Sequence, residues 1–209
     1  MVKDISKRKM ILSDYFRLWF KWFLDPVGAF INRLGLMPNT VTLLGLAGNV
    51  IGAILLARGQ MFWGGLLVLL MGPVDALDGT MARLRGMPSG FGAFVDSVTD
   101  RYSELFIFYG LLYYYLQQGN VLACFLVYMA AAGSVLVSYV KARGESVGFD
   151  PKGGLLTRLE RYLVLGPLLV FNQPLIALWV IAIFANLTAL QRIWIVRKQA
   201  RSKIHDIGE

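Results

Sequence analysis

Apolar residues run through this chain in long blocks, separated by short clusters of polar residues, glycine and proline. A block of about 20 mainly apolar residues is long enough to cross a bilayer as a helix. Six such blocks stand at 38–57, 61–84, 91–116, 120–143, 154–172 and 174–197. Ahead of them, residues 10–34 mix Trp19, Phe20, Trp22, Phe23 and Phe30 with Arg17, Lys21 and Arg33. That mixture predicts an amphipathic helix lying in the membrane interface. A partly ordered basic tail is the plainer reading of the same residues. Pro38 suits the start of the first span, where its missing N–H is not needed. The fold class expected is therefore all-α integral membrane: six transmembrane helices with an N-terminal interfacial amphipathic helix. The division expected is a tail and interfacial helix over 1–37, a six-helix domain over 38–198 and a tail over 199–209.

Composition agrees with this pattern. The chain is 56% hydrophobic and 16% charged, which leaves little for a separate soluble domain. "MVKDISKRKM" is basic, but no compact apolar core and small-residue cleavage site follow it, so no cleavable signal is expected. The single Cys124 excludes an intrachain disulfide. The single His205, in a polar tail, argues against histidine catalysis or a multi-histidine metal site. Basic residues cluster before the first span, after the second and fourth, and at the end of the chain. By the positive-inside rule this places both termini and the 85–90 loop in the cytoplasm of a multi-pass protein of the cell membrane. No nucleic-acid partner is expected. Gly45, Gly48 and Gly52 read as a packing stripe, and Tyr113, Tyr114 and Tyr115 as an interface belt.

The stretch "VDALDGTMARLRGMPSGFGAFVDSVTDR" breaks the apolar pattern. It places Asp75, Asp78, Asp96 and Asp100 inside two spans, where a carboxylate is costly. Asp75 and Asp78 are three residues apart, and Asp96 and Asp100 four, so each pair lies on one helix face. Counted from the short turn between the spans, all four sit roughly 6–12 Å deep. Four carboxylates at one level repel, and one or two divalent cations resolve the repulsion. Carboxylate oxygens suit hard ions such as Mg²⁺ or Mn²⁺. Gly79 and Ala82 leave room for a ligand, Gly92 keeps the facing helix thin, and Arg83 offers a fork of donors to a phosphate. Together these point to chemistry on a phosphate ester. The purely structural alternative pairs the carboxylates with Arg83, Arg85 and Arg101.

The same stretch resembles the signature of the CDP-alcohol phosphotransferases, D-x2-D-G-x2-A-R-x8-G-x3-D-x3-D. Asp75, Asp78, Gly79, Ala82, Arg83, Gly92, Asp96 and Asp100 match it at every spacing. The resemblance implies six membrane helices, a homodimer, and attack of a hydroxyl on a CDP-linked lipid with release of CMP. It implies that Asp75, Asp78, Asp96 and Asp100 hold two metal ions, Mg²⁺ or Mn²⁺, and that Asp100 is also the base. It implies binding of the CDP-lipid by Asn39, Thr40, Val41, Thr42, Gly79, Ala82, Arg83 and Ser89.

A second cluster bears on the acceptor. Arg158 and Arg161 lie one helical turn apart in "TRLERYL", and Arg192 lies within the last span. Arginines inside spans favour an anionic partner, whereas snorkelling anchors account better for Lys141, Arg143 and Lys198. The cluster resembles that of prokaryotic enzymes that use inositol phosphate, which implies Ser138, Lys141, Arg161 and Arg192 as acceptor-phosphate residues. Leu159 departs from the proline often found there. The expected partners are thus CDP-diacylglycerol and a phosphorylated polyol. Glycerol-3-phosphate is the alternative acceptor, and a cation carrier or channel is the alternative of another class.

Overall fold

The computed structural model describes residues 12–86, 89–151 and 153–205. The start of the expected interfacial segment, Lys152, the last four residues and the side chains of Arg17, Trp19, Phe20, Lys21, Phe23 and His205 lie outside the described residues. The described residues form seven helices and no strand: α1 Leu12–Arg33, α2 Pro38–Ala57, α3 Met61–Leu84, α4 Gly90–Gln117, α5 Val121–Ser146, α6 Arg158–Val170 and α7 Pro174–His205.

Local chemistry sets the helix ends. Pro38 opens α2 from an extended Met37. The Ser89 hydroxyl caps α4 by accepting from the Gly92 N–H at 2.9 Å, and Asn120 caps α5 through the Ala123 N–H at 3.0 Å. Between α2 and α3, and between α4 and α5, Gly59 and Gly119 take the left-handed turn conformation.

Among the described residues, four helices are long and apolar enough to cross a membrane: α2, α3, α5 and α7. Leu43, Leu44, Ile51 and Ile54 point outward from α2, and Phe125 and Tyr128 from α5. Such an apolar exterior suits lipid, and this is a membrane protein. The other two expected spans differ. α4 has 28 residues but carries Asp96, Asp100, Arg101 and Glu104 within its first 15. α6 has only 13 residues, about 20 Å against the roughly 30 Å of a hydrocarbon core. The block expected at 154–172 is helical only from Arg158 to Val170. Gly153 and Gly154, at φ +119° and +135°, keep the helix from starting earlier, and Asn172, at +56°, turns the chain beyond its end.

The helices pack as a closed ring in the order α2, α3, α6, α7, α5, α4 and back to α2, with α1 laid against α3. Consequently α3 and α4 scarcely touch. The sequence suggests them as direct neighbours; instead both lean on α2, whose small residues let two helices approach it. Gly45, Gly48 and Gly52 face Asp75, Met71 and Val68 of α3. On the other flank, a Cβ on Gly110 of α4 would lie 3.0 Å from the Ala53 Cα. The main core runs along the ring through Leu56, Val68, Phe108, Leu126, Leu169 and Ile181. A smaller cluster joins Leu24, Val27 and Ile31 of α1 to Val41, Leu77 and Met81, while Trp22 and Phe30 stay exposed on its outer face.

Backbone contact at Gly110 generates a stability prediction. Gly110→Val should cost about 1–3 kcal/mol through overpacking. Gly90→Ala, at a position open on all sides, should leave stability unchanged. Thermal unfolding in detergent micelles checks both.

Candidate active site

Asp75 and Asp78 lie on the second half of α3, and Asp96 and Asp100 on the first half of α4. Asp78 and Asp100 are buried, and Asp75 and Asp96 are partly so. Gly45 on α2 leaves the space that the Asp75 carboxylate fills. Asp78 is held by two donors, the Thr42 hydroxyl from α2 and the Gly79 N–H. Asp75 and Asp100 share a different partner. Arg158, the first residue of α6, donates from Nη2 to the Asp75 Oδ2 at 3.1 Å and from Nη1 to the Asp100 Oδ2. One guanidinium thus bridges α3 and α4 where their backbones are apart.

This pairing differs from the one the sequence offers. Arg83 donates to the Thr80 hydroxyl at 2.9 Å, Arg85 to Asn32 at 2.7 Å, and Arg101 to the Ser97 carbonyl. None of the three makes an ion pair with an aspartate among the described residues. Arg83 and Arg101 fold back on their own helices and Arg85 reaches across to α1 and the Leu36 carbonyl, whereas the α6 terminus enters between the carboxylates.

Charge remains unbalanced at this point. The four carboxylates act on one another electrostatically: Asp75 on Asp78 and Asp100, and Asp96 on the other three. One guanidinium pairs with two of the four carboxylates, and Arg101 acts on Asp100 from farther off, so repulsion persists in a poorly solvated setting where it is strong. Hard oxygen donors with excess negative charge fit a divalent cation of the Mg²⁺ or Mn²⁺ type. Among the described residues, no three His, Cys, Asp or Glu side chains are arranged around a common metal position. Two of the carboxylates are turned to Arg158, and Asp78 is turned to Thr42 and Gly79.

A second ion pair lies one turn along. The buried Arg161 donates to both oxygens of Glu104, from Nε at 2.6 Å and from Nη2 at 2.9 Å. Asp100 and Glu104 are four residues apart on α4, and Arg158 and Arg161 three apart on α6, so each pair forms one side of a ladder. Tyr162 adds a further rung, donating its hydroxyl to the Asn49 Oδ1 at 2.9 Å.

The other predicted residues fall into two groups. Asn39, Thr40, Gly79, Arg83 and Ser89 are exposed, and Ala82 is half-buried. A Cβ on Gly79 would meet only Arg83, at 3.8 Å, so a ligand has room there. The Asn39 side chain lies beside Gly92, bringing the start of α2 to the start of α4. The Val41 side chain is buried in the apolar cluster with Leu24, Leu77 and Met81, and its N–H donates to the Met37 carbonyl at 3.4 Å.

The second group lies where α5, α6 and α7 meet. Arg192 is buried and donates to two backbone carbonyls, Val137 at 2.6 Å and Gly153 at 2.9 Å. Ser138 follows Val137 and is half-buried, while Lys141 is exposed and 4.0 Å from Glu145. Arg161 and Arg192 are within electrostatic range of each other. Arg161 is not free, however, because Glu104 holds its Nε/Nη2 edge and the Leu156 carbonyl accepts from Nη1. The sequence reading missed Glu104 and the bridging place of Arg158. The repeat Asp96, Asp100, Glu104 at intervals of four was the signal available for the first. Nothing in the sequence chose Arg158 over Arg161 as the partner of the aspartates.

Comparison with known proteins agrees with this geometry. Residues 35–191 match the family described as CDP-alcohol phosphatidyltransferase. A phosphatidylinositol phosphate synthase of Streptomyces avermitilis is 39% identical over 92% of this chain and 85% of its own length. One of Mycobacteroides abscessus is 35% identical over 85% of each chain. The crystal structure of the Mycobacterium tuberculosis phosphatidylinositol phosphate synthase with CDP-DAG bound superposes with a TM-score of 0.77 at 30% identity, covering 83% of this chain and 92% of that one. The same enzyme in complex with manganese and citrate gives a TM-score of 0.76 at 30% identity, covering 83% of this chain and 88% of that one. With the aspartate signature placed on α3 and α4 and this similarity along most of its length, the chain belongs to the CDP-alcohol phosphatidyltransferase family.

Proposed function

We propose that the protein transfers the phosphatidyl group of CDP-diacylglycerol to a hydroxyl of inositol phosphate and releases CMP. The observation that carries this reading is the aspartate site of α3 and α4, open at Gly79 and Arg83 and flanked by the arginines of α6 and α7. Similarity to phosphatidylinositol phosphate synthases over most of the chain favours inositol phosphate over glycerol-3-phosphate. The apolar core through Leu56, Val68 and Phe108 gives no support to a cation path.

The acceptor hydroxyl attacks the phosphorus that bears the diacylglycerol. The new P–O bond forms as the bond to the bridging oxygen of the diphosphate breaks, and CMP leaves with that electron pair. Asp100 takes the hydroxyl proton. Asp75, Asp78, Asp96 and Asp100 would hold two ions, Mg²⁺ or Mn²⁺, which when bound neutralise charge on the diphosphate. Thr42 and the Gly79 N–H hold Asp78 in place. Arg83 gives the diphosphate a fork of donors, Gly79 and Ala82 leave it room, and Asn39, Thr40, the Val41 backbone and Ser89 border the nucleotide. Ser138, Lys141 and Arg192 hold the acceptor phosphate, and Arg161 adds its charge while paired to Glu104. In this reading α2 to α7 are six membrane elements, α1 lies in the interface, the termini and the site face the cytoplasm, and two copies form a homodimer. The basic residues around 83–85, 141–143 and 197–203 support that orientation.

The deciding experiment supplies purified protein with CDP-diacylglycerol and a panel of acceptors, with CMP release as the readout. Inositol phosphate should outcompete glycerol-3-phosphate, free inositol and serine; preference for glycerol-3-phosphate would reassign the acceptor. Arg192→Ala should raise the acceptor KM by roughly one to two decades, for a lost charged hydrogen bond of about 1.5–3 kcal/mol, with CDP-lipid affinity unchanged. Arg161→Ala should instead lower the melting temperature, because it leaves Glu104 buried without its partner, at a cost of about 3–5 kcal/mol.

Chelator should stop CMP release, and Mg²⁺ or Mn²⁺ should restore it. Asp100→Asn should cut kcat by about 10²- to 10⁴-fold while retaining CDP-lipid binding. Equal losses of binding and of rate would make Asp100 chiefly a metal ligand.

A further inference from the structure

We propose that Arg158 is the resident counter-cation of the aspartate site, holding Asp75 and Asp100 together and giving up both carboxylates when a divalent metal binds. This rests on the metal-dependent reading above. Arg158 bonds an oxygen of each of two carboxylates that would hold a metal, the Oδ2 of Asp75 and the Oδ2 of Asp100. A guanidinium and a divalent cation drawn to the same two carboxylates repel each other, so each weakens the hold of the other. The guanidinium carries one positive charge against four carboxylates, and a divalent ion carries two. Metal is therefore the stronger neutraliser, and Arg158 the weaker one that keeps the site from flying apart without it.

The two arginines of α6 are built for different tasks. Arg161 is sealed in, its side chain 2% exposed and bidentate on Glu104. Arg158 is 36% exposed at the first residue of α6, and follows a non-helical linker that includes Gly153 and Gly154 in left-handed conformations. Arg158 therefore has a partly exposed side chain to move, while the Arg161–Glu104 pair holds α6 against α4. The freed guanidinium is then a donor fork beside the metal, available to a phosphate oxygen. In this way metal loading and anion binding are linked through one side chain.

The test measures Mn²⁺ binding to the full chain in lipid nanodiscs, without CDP-lipid or acceptor, from the loss of the free-ion EPR signal. Arg158→Gln should bind Mn²⁺ about tenfold or more tightly than the native chain, as expected when a positive charge adjoining carboxylates is removed. Arg158→Lys, which keeps the charge, should stay near the native affinity. Unchanged or weaker Mn²⁺ binding by Arg158→Gln would overturn the proposal. Absence of Mn²⁺ binding in native and variant chains alike would overturn the metal site and this proposal with it. A second measurement needs no variant. Phenylglyoxal labelling of Arg158 in the native chain, read by peptide mass spectrometry, should rise severalfold at saturating Mn²⁺. Equal labelling with and without Mn²⁺ would show that the guanidinium is not displaced.

Discussion

Four carboxylates must coexist inside a mostly apolar ring of helices, and their mutual repulsion is the constraint around which the interior is arranged. The answer visible in the structure is Arg158, seated between Asp75 and Asp100. It ties α3, α4 and α6 together at a level where α3 and α4 scarcely touch. An isolated buried charge is expensive, and so is a buried pair with poor geometry. Here the cost is met by sharing: Asp78 takes two uncharged donors, Asp75 and Asp100 share one cation, and Arg161 lies bidentate on Glu104.

Small residues make that arrangement sterically possible. Gly45 leaves a gap on α2 that the Asp75 carboxylate occupies, so the same glycine serves helix packing and the site. Gly110 lets α4 approach the α2 backbone at Ala53. Because both α3 and α4 press on α2, their acidic faces are angled toward a shared space instead of packing together. That space is where the α6 terminus enters, and its shortness matters. A helix beginning at Gly154 would carry its first turn past the carboxylates; one beginning at Arg158 presents its guanidinium to them.

The ladder also separates two roles that look alike in sequence. Arg158 and Arg161 are both arginines on one face of one short helix. The first faces excess negative charge and stays partly open to solvent; the second is neutralised by a dedicated glutamate and closed off. Arg192 is a third case, buried against two backbone carbonyls with no carboxylate in hydrogen-bonding contact. A phosphate near Arg192 would displace only backbone carbonyls, whereas one near Arg161 would compete with Glu104.

The sequence by itself determined the helical blocks, because backbone groups in lipid must bond within the segment and apolar runs of that length leave few alternatives. It also paired the aspartates, since spacings of three and four residues put each pair on one helix face. The residues near the start of α2 were named by resemblance alone, because nothing in their spacing marks them. Only the tertiary structure decided the partners. It sent Val41 into an apolar cluster, cut the block at 154–172 down to α6, and placed α2 between α3 and α4. It chose Arg158 for the aspartates and Glu104 for Arg161. Those choices depend on the rotation and order of helices in the ring, which side-chain packing between distant segments sets and which periodicity along one segment does not contain.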